Sequence, residues 1–215
     1  MKMSKTKRLN KLYRKFLRRH INEQYQQKIT NKNCSIISMN CVGGGVVSHE
    51  FGLRFNSPTV NLWFKPKEFI KFLEQKDYYL YDCELQEDVR ASKELGYPVG
   101  RLDDIGIYFT HYESFEEAKR KWNERLKRLD MNNIYIVMVQ KDGCTEQDIR
   151  SFDRLKFKHK VVFTAKEYPQ YRSAYYIPQS EENEENVKNL CDYQGIFTGK
   201  RWLDEFDWIS FLNER

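Results

Sequence analysis

Cysteine is scarce in this chain and shows no pairing pattern. The five residues Cys34, Cys41, Cys83, Cys144 and Cys191 are odd in number, widely spaced and never arranged Cys-x-x-Cys. Neither a disulfide framework nor a zinc ribbon follows from that, and a reduced, intracellular setting is expected. Long apolar runs are missing too, as is a signal-peptide core. The expectation is a soluble, cytoplasmic protein, with peripheral contact at the inner membrane face left open. Internal repeats and low-complexity linkers are also absent, which favours one domain in 215 residues. Acid is missing from one place only. Residues 1–20 hold nine Lys or Arg and no Asp or Glu, and beyond them 28 basic residues face 31 acidic ones. The net charge of +6 therefore belongs to the arm, and a general nucleic-acid-binding surface is not expected.

What is present centres on NCSIISMNCVGGGVVSHEFGL, residues 33–53. Cys34, Ile36, Ile37 and Met39 read as a buried strand, Gly43, Gly44 and Gly45 as a turn, and Val46 onward as a helix. Strand, glycine-rich turn and helix together are where α/β proteins often bind an anion, since glycine admits close approach and a helix start offers free N–H groups. Asn40, Cys41, Ser48 and His49 bracket that turn. The pattern is neither Gly-x-Gly-x-x-Gly, because Ser48 occupies the third position, nor a phosphate-binding P-loop. A tight connection that needs glycine only for its backbone angles is the competing reading.

The arm, MKMSKTKRLNKLYRKFLRRH, places Leu9, Leu12, Tyr13, Phe16 and Leu17 on one helical face with basic residues around them. Such a helix suits an anionic membrane surface, or packs its stripe on the domain. Further on, Thr59–Phe64 reads as a second buried strand, and Lys65-Pro66 starts a helix. Tyr78–Tyr81 reads as a short strand. Residues 99–102 and 105–110 read as an antiparallel pair across Asp103-Asp104, and Ser114 with Glu117 forms a capping box. Ile134–Val139, a helix capped by Thr145, and Lys160–Thr164 form a βαβ unit. Ala174–Ile177 reads as a strand, the acidic stretch after it as a solvated helix start or loop, and residues 199–215 as one amphipathic helix.

Several residues carry candidate chemistry. Cys41 and His49 offer a thiolate–imidazole pair, against Cys41 as a small buried residue. Asp103 and Asp104 suit a base or a hydroxyl-orienting pair, and equally an ordinary turn; no metal site is assigned. His111 and Lys141 each follow a strand, so with the glycine turn they would meet at one sheet edge. Trp63 is a candidate ligand-binding residue, its substitution expected to matter most if the chain is a binding module.

Three blocks in order, Cys34–Gly44 (CSIISMNCVGG), Ser57–Leu62 (SPTVNL) and Tyr97–Arg128 (YPVGRLDDIGIYFTHYESFEEAKRKWNERLKR), resemble one family, the exopolysaccharide-biosynthesis proteins grouped under a domain-of-unknown-function heading. The resemblance covers roughly residues 33–213. It implies a three-layer α/β/α fold and a place in bacterial surface-polysaccharide or capsule synthesis, and it carries no catalytic residues across. The strand–helix pattern agrees with a mostly parallel central sheet in a single domain over residues 33–215, preceded by a basic helical arm over residues 1–32.

The functional expectation is a transferase acting on a sugar, nucleotide-sugar or lipid-linked saccharide. His49 or His111 would be the base, Asp103 and Asp104 would orient hydroxyls, and Gly43–Gly45 with Asn40, Ser48 and Lys141 would bind ligand. The alternative is a non-catalytic glycan- or phosphate-binding scaffold at the membrane. The expected partners are a sugar or sugar-phosphate ligand and an anionic membrane surface at residues 1–20, with no nucleic acid.

Overall fold

The computed structural model describes residues 5–195 and 197–214, with the side chains of residues 5–9 and 11 outside that description. Leu9, Lys7, Arg8 and Lys11 of the expected amphipathic pattern thus lie outside the described side chains.

Four parallel strands form the main sheet: β1 (Ser35–Ser38), β5 (Ile134–Val139), β6 (His159–Thr164) and β7 (Ala174–Tyr176), in the order β1-β5-β6-β7. All six residues of β5 are buried, as its unbroken apolar run requires of a strand covered on both faces. β5 leads through α6 (Glu146–Arg154) to β6, and Thr145 with Asp148 closes a capping box at the helix start. Helices lie on both sides of the sheet. On one, α3 (Pro66–Glu74) sends Phe72 against Trp122 of α5 (Phe115–Leu126). On the other, α7 (Trp208–Asn213) brings Trp208 to Phe163 and Phe211 to Tyr135.

A second, antiparallel sheet of β2 (Gln86–Glu87), β3 (Val99–Leu102) and β4 (Ile105–Tyr108), with α4 (Val89–Leu95) joining β2 to β3, hangs beside the first. Its hairpin turns at Asp103, whose φ of 53° puts it in the left-handed region that Asp tolerates. The link between the sheets is the stretch expected to be a strand, Thr59–Phe64, and here the expectation needs correction. Asn61 has φ 58°, which breaks the extended run, and the Thr59 hydroxyl accepts from the Ser38 N–H. What remains is a tie: Trp63 and Tyr108 exchange backbone hydrogen bonds, and Phe64 N–H donates to Met39. Tyr78–Asp82 is a π-helical turn rather than a strand: its backbone bonds locally, Tyr79 N–H donating to Gln75 O and Cys83 N–H to Tyr78 O, and the Tyr78 and Tyr79 hydroxyls donate to the adjacent carboxylates of Asp103 and Asp104. The acidic stretch forms the hairpin of β8 (Glu181–Asn183) and β9 (Asn186–Val187). In the tail, a 3-10 turn at Trp202–Glu205 stops before Asp207, which caps α7 by accepting from Ser210 N–H.

α1 (Lys5–Lys28) is one 24-residue helix. No helix among the described residues is long and apolar enough to cross a membrane.

His159, at the start of β6, stacks on Tyr135 with ring centroids 4.7 Å apart. Burial lowers its pKa below the ordinary 6.5, and neighbouring Lys158 adds to the effect while Glu214 opposes it. The unfolded chain therefore takes up a proton near pH 6.5 that the folded chain resists. This contribution to stability is full above pH 6.5 and is lost as pH falls towards the lowered value. Thermal melts from about pH 7.5 down to 5.5 should show a drop that shrinks in His159→Phe; an equal drop in both would contradict it.

Candidate functional site

The glycines after β1 do not bend the chain. Val42–Val47 is a π-helical turn running into the short helix α2 (Ser48–Glu50), and none of Gly43, Gly44 or Gly45 has positive φ. Glycine is required for closeness instead. A Cβ on Gly43 would lie 3.0 Å from the Ser38 hydroxyl and Val137, and one on Gly44 would lie 2.3 Å from the Thr59 carbonyl oxygen. The helix start is also capped from within. Val42 N–H donates to the Asn40 side chain at 3.1 Å, Gly43 N–H to the Ser38 hydroxyl at 3.2 Å, and the Ser48 hydroxyl donates back to Gly43 O. Asn40, Gly43, Gly44 and Ser48 are thus engaged with protein.

Cys41 is also spoken for. Burial pushes its thiol pKa up, away from thiolate, and no hydrogen bond joins it to His49, so the expected nucleophile–base pair is not formed. Asp103 accepts from the Tyr78 hydroxyl. Asp104 pairs with Lys71 and accepts from Tyr79, contacts that hold its pKa below the usual carboxylate value. Lys141 Nζ sits 3.5 Å from both the Glu182 carboxylate and Val187 O, on the β8–β9 hairpin. Trp63 is half-buried and stacked on Tyr108 at 4.0 Å, one ring face covered. His111 is exposed after β4 and lines none of the clefts that hold His49. The expected meeting of the glycine turn, His111 and Lys141 at one edge does not occur, because β4 belongs to the other sheet and Lys141 turns to the hairpin.

One cleft remains at the end of the glycine helix, of about 500 Å³, lined by Gly45, Val46, His49, Glu50, Phe55, Asn61 and Arg201. His49 is exposed, and Asn61 holds its carboxamide over Gly45, where a Cβ would come within 2.5 Å of Oδ1. The side chains of His49 and Asn61 have no hydrogen-bond partner among the described residues. The wall carrying Phe55 and Asn61 is clamped from behind: Arg125 donates to Val60 O and Tyr112, lies 5.4 Å from the Phe55 ring, and Arg128 donates to Phe55 O at 3.0 Å.

The floor is ionic. Glu50 accepts from Arg18 at 2.6 and 3.0 Å through one oxygen and from Arg201 at 2.7 Å through the other, while Asp204 pairs with Arg18 and accepts from Arg201 N–H at 2.7 Å. Arg201 also keeps a buried Nε–H without a partner. Beside it Cys191 is pushed up to about 12 by burial, so it too stays a thiol. A second cleft of about 760 Å³, lined among others by Lys15, Arg19, Asn22 and Tyr193, shares Glu50 and Arg201 with the first. Phe55, Asn61, Glu50 and Arg201 escape sequence reasoning, because no local pattern announces a cleft assembled from segments 150 residues apart; only Glu50, next to His49, lay within the stretch singled out. Among the described residues no three His, Cys, Asp or Glu side chains gather as metal ligands would.

Comparison with known proteins extends the match beyond residues 33–213, into α1. Residues 12–213 match the model of a family described as "Domain of unknown function (DUF1919)". An uncharacterized protein of Haemophilus influenzae is 42% identical over 193 residues, spanning 90% of each chain.

Proposed function

The chain belongs to the family described as Domain of unknown function (DUF1919), and we propose, from the geometry of the His49 cleft and the resemblance of its sequence blocks, that it is a transferase of bacterial surface-polysaccharide assembly. Its substrate is a phosphate-bearing sugar, seated in the His49 cleft. One observation carries this reading: His49 and Asn61 face an open cleft with no hydrogen-bond partner among the described residues, and the guanidinium of Arg201, ion-paired with Glu50, lines the same cleft. In this account Arg201 meets the anionic group, Asn61 bonds sugar hydroxyls, and His49 accepts the proton of the attacking hydroxyl. The hydroxyl oxygen bonds to the transferred carbon as the bond to the leaving phosphate oxygen breaks, its electron pair staying with that oxygen.

The expected result of a thermal-shift panel of nucleotide sugars and sugar phosphates is a raised melting temperature with one class. At about a hundred times the dissociation constant the gain is about 2.7 kcal/mol. Asn61→Gly, which keeps the φ of 58° accessible, should weaken binding, and His49→Ala should keep binding but lose turnover. Equal ligand stabilisation in Asn61→Gly and wild type would overturn the placement.

A non-catalytic phosphate- or glycan-binding scaffold is favoured by one observation: among the described residues no group orients the His49 ring, as a working base usually has. His49→Ala that leaves both binding and polysaccharide output intact selects that reading.

A further inference from the structure

α1 docks on the domain with its polar side. Arg18 is buried in the ion cluster, Leu17 and the Arg18 backbone press on Gly199, and Tyr25 stacks on Phe51 at 4.0 Å. Helix positions advance about 100° per residue, so Leu12, Tyr13 and Phe16 fall on the opposite side. There they are 59%, 48% and 69% exposed, and with Asn10 and Phe197, itself 64% exposed, they line an apolar groove of about 680 Å³. Four of the nine large apolar side chains exposed among the described residues meet at this one place. Packing on the core, one of the two roles expected for the stripe, is thereby excluded for Leu12, Tyr13 and Phe16.

The border of the groove is charged with one dominant sign. Lys15 and Arg19 stand exposed beside Leu12 and Phe16, Arg19 ion-paired with Glu23, and the first 20 residues of the sequence hold nine basic residues and no acid. Apolar side chains ringed by cations match a lipid headgroup layer of negative charge. We propose that this face of α1, together with Phe197, docks on an anionic lipid bilayer, with Leu12, Tyr13, Phe16 and Phe197 dipping below the headgroups and Lys15 and Arg19 at their level. A second copy of the chain would bring two basic helices together, and a nucleic acid would leave the apolar side chains in water. The adjoining Lys15–Arg201 cleft shares Leu12 and Phe16 with the groove, so docking sets it, and through Glu50 and Arg201 the His49 cleft, beside the headgroup layer. Docking itself does not depend on the transferase reading.

The test is sedimentation of the full chain with vesicles of phosphatidylcholine alone and of phosphatidylcholine containing phosphatidylglycerol. Binding is expected only to the anionic vesicles. Lys15→Ala should weaken it about fivefold, and Phe16→Ala about tenfold or more, with both variants melting as the wild type because both side chains are exposed. Absence of binding to anionic vesicles overturns the proposal, as does binding that Phe16→Ala leaves unchanged. So does a dimer in solution that Phe16→Ala dissolves. Vesicle binding by a wild-type chain that binds no nucleotide sugar or sugar phosphate keeps this inference and removes the transferase one.

Discussion

Arg18→Met is expected to destabilise the protein by about 3–5 kcal/mol, the largest single effect foreseen, because it removes one partner from a buried ion cluster. Arg18 is 4% exposed, and burial alone would lower its pKa, but Asp204 and Glu50 outweigh that and raise it. Without the guanidinium, the Asp204 carboxylate, 3% exposed, keeps, among the described residues, only the Arg201 N–H and the Tyr25 hydroxyl near it. Glu50 would keep Arg201 alone. Urea denaturation reads the loss directly, and a double variant with Glu50→Gln should lose less than the sum of the two single losses, since the second change removes a charge already orphaned. Phe16→Ala, on the exposed side of the same helix, serves as the contrast and should cost almost nothing. A loss below about 1 kcal/mol for Arg18→Met would mean that α1 is held by its apolar contacts instead.

Gly44→Ala should cost about 3 kcal/mol, the upper end for an over-packed site. The added methyl would sit 2.3 Å from the Thr59 carbonyl oxygen and 3.3 Å from its carbon, both main chain, so no side chain can swing aside. Retreat of residues 58–60 would break the bond from Ser38 N–H to the Thr59 hydroxyl, which ties the end of β1 to the loop bearing Asn61. Ligand binding should therefore weaken along with stability. Gly106→Ala, where the nearest atom is the Tyr108 hydroxyl at 3.5 Å, is the control and should be near neutral. Equal melting of Gly44→Ala and wild type would show that the helix has room that this packing denies.

The parts of the fold that are local were legible in the sequence. The unbroken apolar run Ile134–Val139, the Thr145 cap and the Lys160–Thr164 strand announce a parallel βαβ unit, and Asp103-Asp104 announces the hairpin. What failed was set by distant partners. Thr59–Phe64 has the composition of a strand, but the Ser38–Thr59 bond and the left-handed Asn61 make it a tie between sheets. In α1 the apolar stripe drew attention, whereas Arg14, Arg18, Ile21 and Tyr25, at steps of four, three and four, mark the docked face. A charged docking face gives no hydrophobic signal, because its partners Glu50 and Asp204 lie 32 and 186 residues away. For the same reason His49 and Gly45 were the legible part of the cleft, while Asn61 and Arg201 were not. Asp103, Asp104 and Lys141 have the right residue types for chemistry, and their hydrogen bonds and ion pairs are used within the fold.

With only four histidines, His20, His49, His111 and His159, the ring C–H signals can be followed one by one by NMR, each assigned by substitution. Titrating in the sugar phosphate or nucleotide sugar that stabilises the protein should move the His49 signals in step with binding and leave those of buried His159 and of His111 in place. Movement of His111 with His49 unchanged, or saturation binding that moves neither, would contradict a ligand seated between His49, Asn61 and Arg201.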